Sequence, residues 1–149
     1  MPTIRHAAPT DVPALIDLCE AHAHYERAPY ARAGKAEGLA RALFADAPKL
    51  YALVAEDESG RLIAFATYMV QYATWDAQEY LYLDCLFVVE AARSQGLGER
   101  LMRRVQAEGE RLGCTLVQWQ TPDFNTRAIQ FYHRIGATCK AKQRFFLTR

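Results

Sequence analysis

Long apolar runs are missing from this chain: no stretch approaches the roughly 18 apolar residues that a membrane span needs. The opening residues, Met1-Pro2-Thr3-Ile4-Arg5, lack the basic-then-apolar layout of a secretory leader. An excess of one charge is missing as well. Lys and Arg number 18 against 17 Asp and Glu, for a net charge of +1. That balance excludes the basic footprint of a nucleic-acid binder and an acidic tail. Cysteine is sparse, and Cys19, Cys85, Cys114 and Cys139 form no C-x-x-C pair. Their spacing points to reduced, buried thiols in a cytoplasmic protein rather than to a disulfide framework or a metal site. His22 and His24 cannot share a helix face, so they make a poor ligand pair, and no metal is expected. Internal repeats, low-complexity tracts and linkers are absent too.

What is present is an ordinary globular composition, 51% hydrophobic and 23% charged over 149 residues. That is the size of one domain, residues 1–149, with enough chain to bury a full core. One stretch organises the rest, from Tyr82-Leu83-Asp84-Cys85-Leu86-Phe87-Val88 through Arg93-Ser94-Gln95-Gly96-Leu97-Gly98-Glu99 to Met102. It reads as a strand, a glycine-bearing loop and the start of a helix. Glycines at 96 and 98 leave backbone amides uncovered where the helix begins, and those amides favour an anion such as a phosphate. The loop is not a dinucleotide fingerprint, because Leu101 stands where the third glycine belongs, and no Gly-Lys-Ser/Thr ending marks a triphosphate loop. A glycine loop before a helix also serves as a plain strand-to-helix turn. Asp84, likewise, is a candidate for chemistry or a solvent-facing strand acid.

Taken in order, Thr3 to Ala7 reads as a strand, and Thr10-Asp11 opens a helix with Pro13 in its first turn. Glu26 to Lys35 is a loop, and Leu39, Ala40, Leu43 and Phe44 mark a second helix. Strands follow at Tyr51 to Glu56 and Leu62 to Tyr72, joined by the turn Asp57-Glu58-Ser59-Gly60. Trp75 to Gln78 is a turn and Glu79 to Val88 the central strand. Gly98 to Leu112 is a helix closed by Gly113, Cys114 to Gln120 a strand, and Thr126 to Ile135 a helix closed by Gly136. One or two last strands are expected within Ala137 to Leu147. The order predicts an α/β (α+β mixed) fold with helices on both faces of one sheet.

The loop Arg93-x-x-Gly96-x-Gly98 resembles the coenzyme A pyrophosphate loop of the GNAT family of N-acetyltransferases. A second motif downstream, Asn125-Thr126-Arg127-Ala128-Ile129-Gln130-Phe131-Tyr132 ending at Gly136, resembles the other half of that family's signature. The likeness extends to the spermidine/spermine, diamine and thialysine N-acetyltransferase branch, through His24-Tyr25-Glu26, Tyr68, Tyr72, Trp75 and Leu81 to Val88. It covers nearly the whole chain up to Gly136. The resemblance implies a mixed, mostly antiparallel sheet of six to seven strands, acetyl-CoA as co-substrate, a small-molecule amine as acceptor, and a homodimer.

It also implies roles. Leu86, Phe87 and Val88 would offer backbone groups to the pantetheine arm and the thioester carbonyl. Ser94, Gln95, Gly96, Leu97, Gly98 and Glu99 would wrap the pyrophosphate, with Arg93 adding charge. Asn125 would bond the pantetheine amide, with Ala128 packing beside it. Tyr132 would protonate the departing thiolate, a phenol pKa of about 10 lying near enough to that of a thiol. Tyr25, Glu26, Trp75 and Asp84 would line the amine pocket. Asp84 would attract the ammonium and accept its proton, directly or through water. The chain departs from the branch in having Ala73 and Cys85 where polyamine enzymes carry acids, and in its basic tail of Lys140, Lys142, Arg144 and Arg149. Fewer carboxylates favour a short diamine or an amino-acid-like amine over spermine. An antibiotic or protein amine, and a non-catalytic acyl-CoA-binding module, are the competing readings.

Overall fold

The computed structural model describes residues 1–149. Five strands form one sheet in the order β1-β2-β3-β4-β5: β1 is Thr3–His6, β2 Tyr51–Glu56, β3 Leu62–Ala73, β4 Gln78–Val88 and β5 Val117–Gln118. The first three pairings are antiparallel and the last, β4 with β5, is parallel. The helices are α1 (Val12–Tyr25), α2 (Lys35–Phe44), α3 (Leu97–Arg111) and α4 (Thr126–Arg134).

Alternation along the strands decides which helices go where. Leu53, Ala55, Ala64, Ala66 and Leu81 point to one face and pack on Leu97, Leu101, Met102 and Val105 of α3. Val54, Phe65 and Phe87 point to the other and meet Leu15 and Leu18 of α1 and Leu43 of α2. The helices therefore cover both faces, as the sequence predicts. Each fully buried aliphatic or aromatic side chain in these layers contributes about 1.5–3 kcal/mol.

Two expectations need correction. The predicted strand Cys114 to Gln120 shrinks to two paired residues, because only Leu81↔Val117 and Tyr82↔Gln118 lie in register. No strand forms after Gly136, so the sheet has five strands rather than six or seven. The reason is local: Ala137 to Arg149 contains no Gly, Pro, Asn or Asp to reverse the chain. The last turn bond is Ala137 N–H to the Tyr132 carbonyl, and Phe145, Phe146 and Leu147 stand exposed.

The entry to α1 is fixed by charge. Arg5 on β1 donates two hydrogen bonds to the Asp11 carboxylate, at 2.7 and 3.0 Å, and one to Glu56 on β2 at 2.9 Å. Asp11 also accepts from Ala8 N–H at 2.7 Å. The Arg5 guanidinium holds the Asp11 carboxyl below its ordinary value, against the opposing effect of burial. A depressed folded pKa stabilises the fold above the ordinary value of 3.8 and loses that contribution as pH falls through the lower folded value. Asp11→Asn is expected to cost about 2 kcal/mol at neutral pH. Urea titrations should show the gap between variant and parent narrowing below the ordinary carboxylate range.

Candidate active site

The site is built on an irregularity in β4. Thr67 pairs with Cys85 but Tyr68 pairs with Leu83, so Asp84 is an extra residue on β4, a β-bulge. The bulge reverses the alternation. Before it, Leu81 and Leu83 face α3; after it, Leu86 and Val88 pack on that layer while Cys85 and Phe87 face α1. Strict alternation would put Asp84 and Cys85 on opposite faces. Instead the Cys85 Sγ lies 3.9 Å from Asp84 Oδ2.

Past Tyr82, β4 loses its neighbour β5 and the two strands part. A cavity of about 680 Å³ opens there, a size suited to a small-molecule ligand. Its walls are the end of α1 (His22, Tyr25, Glu26), the second half of β4 (Leu83, Asp84, Leu86, Phe87, Val88), the glycine loop, Trp119 to Thr121, and the inner face of α4. The loop ends at Gly96, the N-cap of α3, whose φ of 80° is left-handed and whose surroundings are open space. No side chain caps α3, so its first amides face outward unpaired. Gly98, Glu99 and Ser94 line the cavity beside them. A Cβ on Gly98 would lie 3.4 Å from the Phe131 ring, so α4 braces the loop from behind. Glu99 turns its carboxylate to Arg103 at 3.4 Å.

Tyr132 sits deeper, edge-on to Trp119 with ring centroids 5.2 Å apart. Burial, with Glu26 and Tyr25 nearby, pushes its phenol up to about 12. Its hydroxyl donates to no protein group. Asn125, nearly buried, accepts from Tyr25 Oη at 3.0 Å and donates to Thr121 Oγ at 3.0 Å. Tyr25 thus bridges α1 to α4 across the cavity.

Most of the residues singled out from the sequence meet here. Tyr25, Glu26, Asp84, Leu86, Phe87, Val88, Arg93, Ser94, Gly96, Gly98, Glu99, Asn125, Ala128 and Tyr132 all line the cavity. Three do not. Gln95 is absent from the wall, and Leu97 turns its side chain into the core, leaving only its amide. Trp75 is 98% exposed on the turn between β3 and β4, away from the cavity. Arg93 is drawn inward: its Nε donates to the Val88 carbonyl at 2.8 Å, and its guanidinium stacks on Tyr25 at 4.6 Å. The loop is clasped instead by Arg127, which donates to Ser94 Oγ at 3.0 Å while Ser94 holds a positive φ of 64°. Arg127, Arg134 and His22 are cavity residues that the sequence did not single out. Arg127 lay unread inside the second motif. The i,i+4 spacing of His22 and Glu26 was the available signal for the third.

Set beside solved structures, this is an acetyltransferase fold. An aminoglycoside N-acetyltransferase in complex with CoA superposes with a TM-score of 0.80 at 23% identity, over all of this chain and 95% of that one. The acetyltransferase (GNAT) family profile matches residues 15–137, and the chain belongs to that family. A D-amino-acid N-acetyltransferase of Saccharomyces cerevisiae is 34% identical over 57% of this chain. A thialysine N-epsilon-acetyltransferase of Bos taurus is 27% identical over 90% of it. The matched region spans 53% of the yeast protein and 82% of the bovine one.

Proposed function

We propose that the protein transfers the acetyl group of acetyl-CoA to the primary amine of a small molecule, a diamine or an amino-acid-like amine, with both substrates bound together. The carrying observation is the cavity between the parted β4 and β5, with an uncapped helix end at its mouth and an unengaged phenol hydroxyl within it. The amides of α3 and the Arg127 guanidinium suit a diphosphate. The unpaired edge of β4 suits an extended amide-bearing arm, and an N–H at Leu86 to Val88 suits the oxyanion that forms on the carbonyl.

Thiol chemistry argues for direct attack. Burial, then Asp84, pushes the Cys85 thiol up to about 12, and burial raises Cys19 and Cys114 as well. A protonated buried thiol is a poor nucleophile, so these three do not support an acyl-enzyme. Asp84, exposed on its bulge, draws in the ammonium form of the amine. The yeast and bovine relatives act, by their names, on a D-amino acid and on thialysine, which supports a small amino-acid-like acceptor.

The test is a thiol-release assay with acetyl-CoA and a panel comprising a short diamine, a lysine analogue, a D-amino acid and an aminoglycoside. Turnover of the short amines is expected. Asp84→Asn should raise the KM for a cationic amine about tenfold, near 1.4 kcal/mol, with the KM for acetyl-CoA unchanged. Coenzyme binding without turnover of any amine would replace this reading with that of a binding module.

A further inference from the structure

In the proposed reaction the amine arrives as an ammonium and must lose a proton before it can attack, a step for which the family resemblance implies Asp84. An alkylammonium has a pKa near 10, an ordinary carboxylate near 4 and an ordinary imidazole near 6.5. Transfer to a carboxylate is therefore uphill by about 8 kcal/mol and to an imidazole by about 5 kcal/mol. An imidazole in the cavity is the better acceptor by chemistry alone.

We infer that His22, oriented by Glu26, is the base that takes this proton; the inference rests on the acetyl-transfer reading. His22 lies one helical turn before Glu26, at the end of α1, and both line the cavity. Its Nε2 lies 2.8 Å from Glu26 Oε2, which fixes the ring and places the neutral ring's proton on Nε2. The ring is further pinned by stacking on Phe87, with centroids 5.2 Å apart and planes 27° from parallel, and by an edge contact with Phe65 at 5.9 Å. Glu26 is its sole hydrogen-bond partner, which leaves Nδ1 bare. No buried side-chain nitrogen or oxygen in the structure lacks a partner, so Nδ1 is reached by solvent. Phe87, on which the ring stacks, belongs to the strand segment assigned to the thioester carbonyl, and both residues line the same cavity.

The arrangement is an acid–imidazole pair: a carboxylate holds one nitrogen and the other is left to accept. The charged and titratable groups around it are Tyr25 and Glu26 from α1, Asp84 and Cys85 from β4, Arg93 from the loop and Tyr132 from α4. Phe65 and Phe87 add no charge. The ammonium N–H breaks and the proton passes to Nδ1, directly or through one water, giving the free amine and an imidazolium faced by Glu26. The amine lone pair then forms the C–N bond. As the C–S bond breaks, Tyr132 gives its proton to the thiolate and recovers one from the nitrogen. His22 returns its proton to solvent, so one proton is released per acetyl transferred.

The test measures kcat/KM against pH for parent, His22→Gln and His22→Ala, using an amine that the parent turns over, with acetyl-CoA affinity by calorimetry as the check on folding. His22→Gln should fall about 100-fold in kcat/KM for the amine. Its acetyl-CoA affinity should stay within twofold, and the parent's loss of activity toward acid pH should be flattened. Free imidazole should restore part of the activity of His22→Ala, which a merely structural side chain does not allow. Nitrogen NMR of the parent histidines gives a readout independent of turnover: His22 should carry its proton on Nε2 with Nδ1 bare. A His22→Gln variant that keeps the parent's acid limb and rate overturns the inference, as does a proton found on Nδ1. A parent inert toward every amine overturns the acetyl-transfer reading instead, and the NMR result still decides the state of His22.

Discussion

Tyr132→Phe lowers kcat by about 100-fold or more and leaves acetyl-CoA affinity within about twofold. The ring remains, so its contacts with Trp119 and Phe131 persist and the cavity keeps its shape. Only the hydroxyl goes. An ordinary phenol has a pKa of about 10, close to that of a thiol. Burial pushes Tyr132 up to about 12, which changes the mechanism. A thiol near 8.5 is then the stronger acid by about 3.5 units, or about 5 kcal/mol. Tyr132 cannot simply hand its proton over and stay a phenolate. In the proposed reaction it would act as a hydrogen-bond donor to the developing thiolate, its proton moving only as another arrives from the acetylated nitrogen. Rapid-quench measurement of a single turnover checks this, because it isolates the chemical step from product release. A chemical rate in the Phe variant equal to the parent's would remove Tyr132 from the mechanism.

Gly96→Val weakens acetyl-CoA binding by at least about 100-fold while costing only about 1–2 kcal/mol in stability. The two effects have separate origins. The left-handed φ of 80° strains a β-branched residue, which sets the stability cost. No protein atom lies within 4 Å of the new Cβ, so the side chain stands in open space at the cavity wall where α3 begins. That is the space the diphosphate would occupy in the proposed function. Calorimetry with acetyl-CoA and thermal unfolding on the same sample separate the two terms. Undiminished binding would mean that the anion lies elsewhere.

What the sequence disclosed, and what it withheld, follows from how far each feature reaches along the chain. The glycine loop and the helix after it are local, so their composition is enough to find them. The two-sided helix arrangement follows from apolar periodicity and was equally readable. The bulge at Asp84 is a property of pairing between β3 and β4, and a single strand carries no record of it. The alternation rule therefore separates Asp84 from Cys85, which the structure brings together. The final strands were expected from element order and family likeness, although the tail's own residues hold no turn chemistry. Trp75 was assigned to the pocket by likeness as well, and its turn points it to solvent. In the sequence His22 stands beside His24, with which it shares no helix face. Helical geometry pairs it with Glu26, but only the packing of α1 against Phe87 turns that pair toward the cavity.

The one-residue slip in β4 has a consequence for redesign. It divides the strand into two segments of opposite phase, and the pieces can be exchanged separately. On the proposed function, residues 78–84 could be recombined to suit a bulkier or less basic acceptor, while 86–88 would keep the positions assigned to the acyl donor. A graft that preserves the extra residue keeps Phe87 seated against α1. One that omits it rotates every later side chain to the opposite layer and dismantles both halves at once.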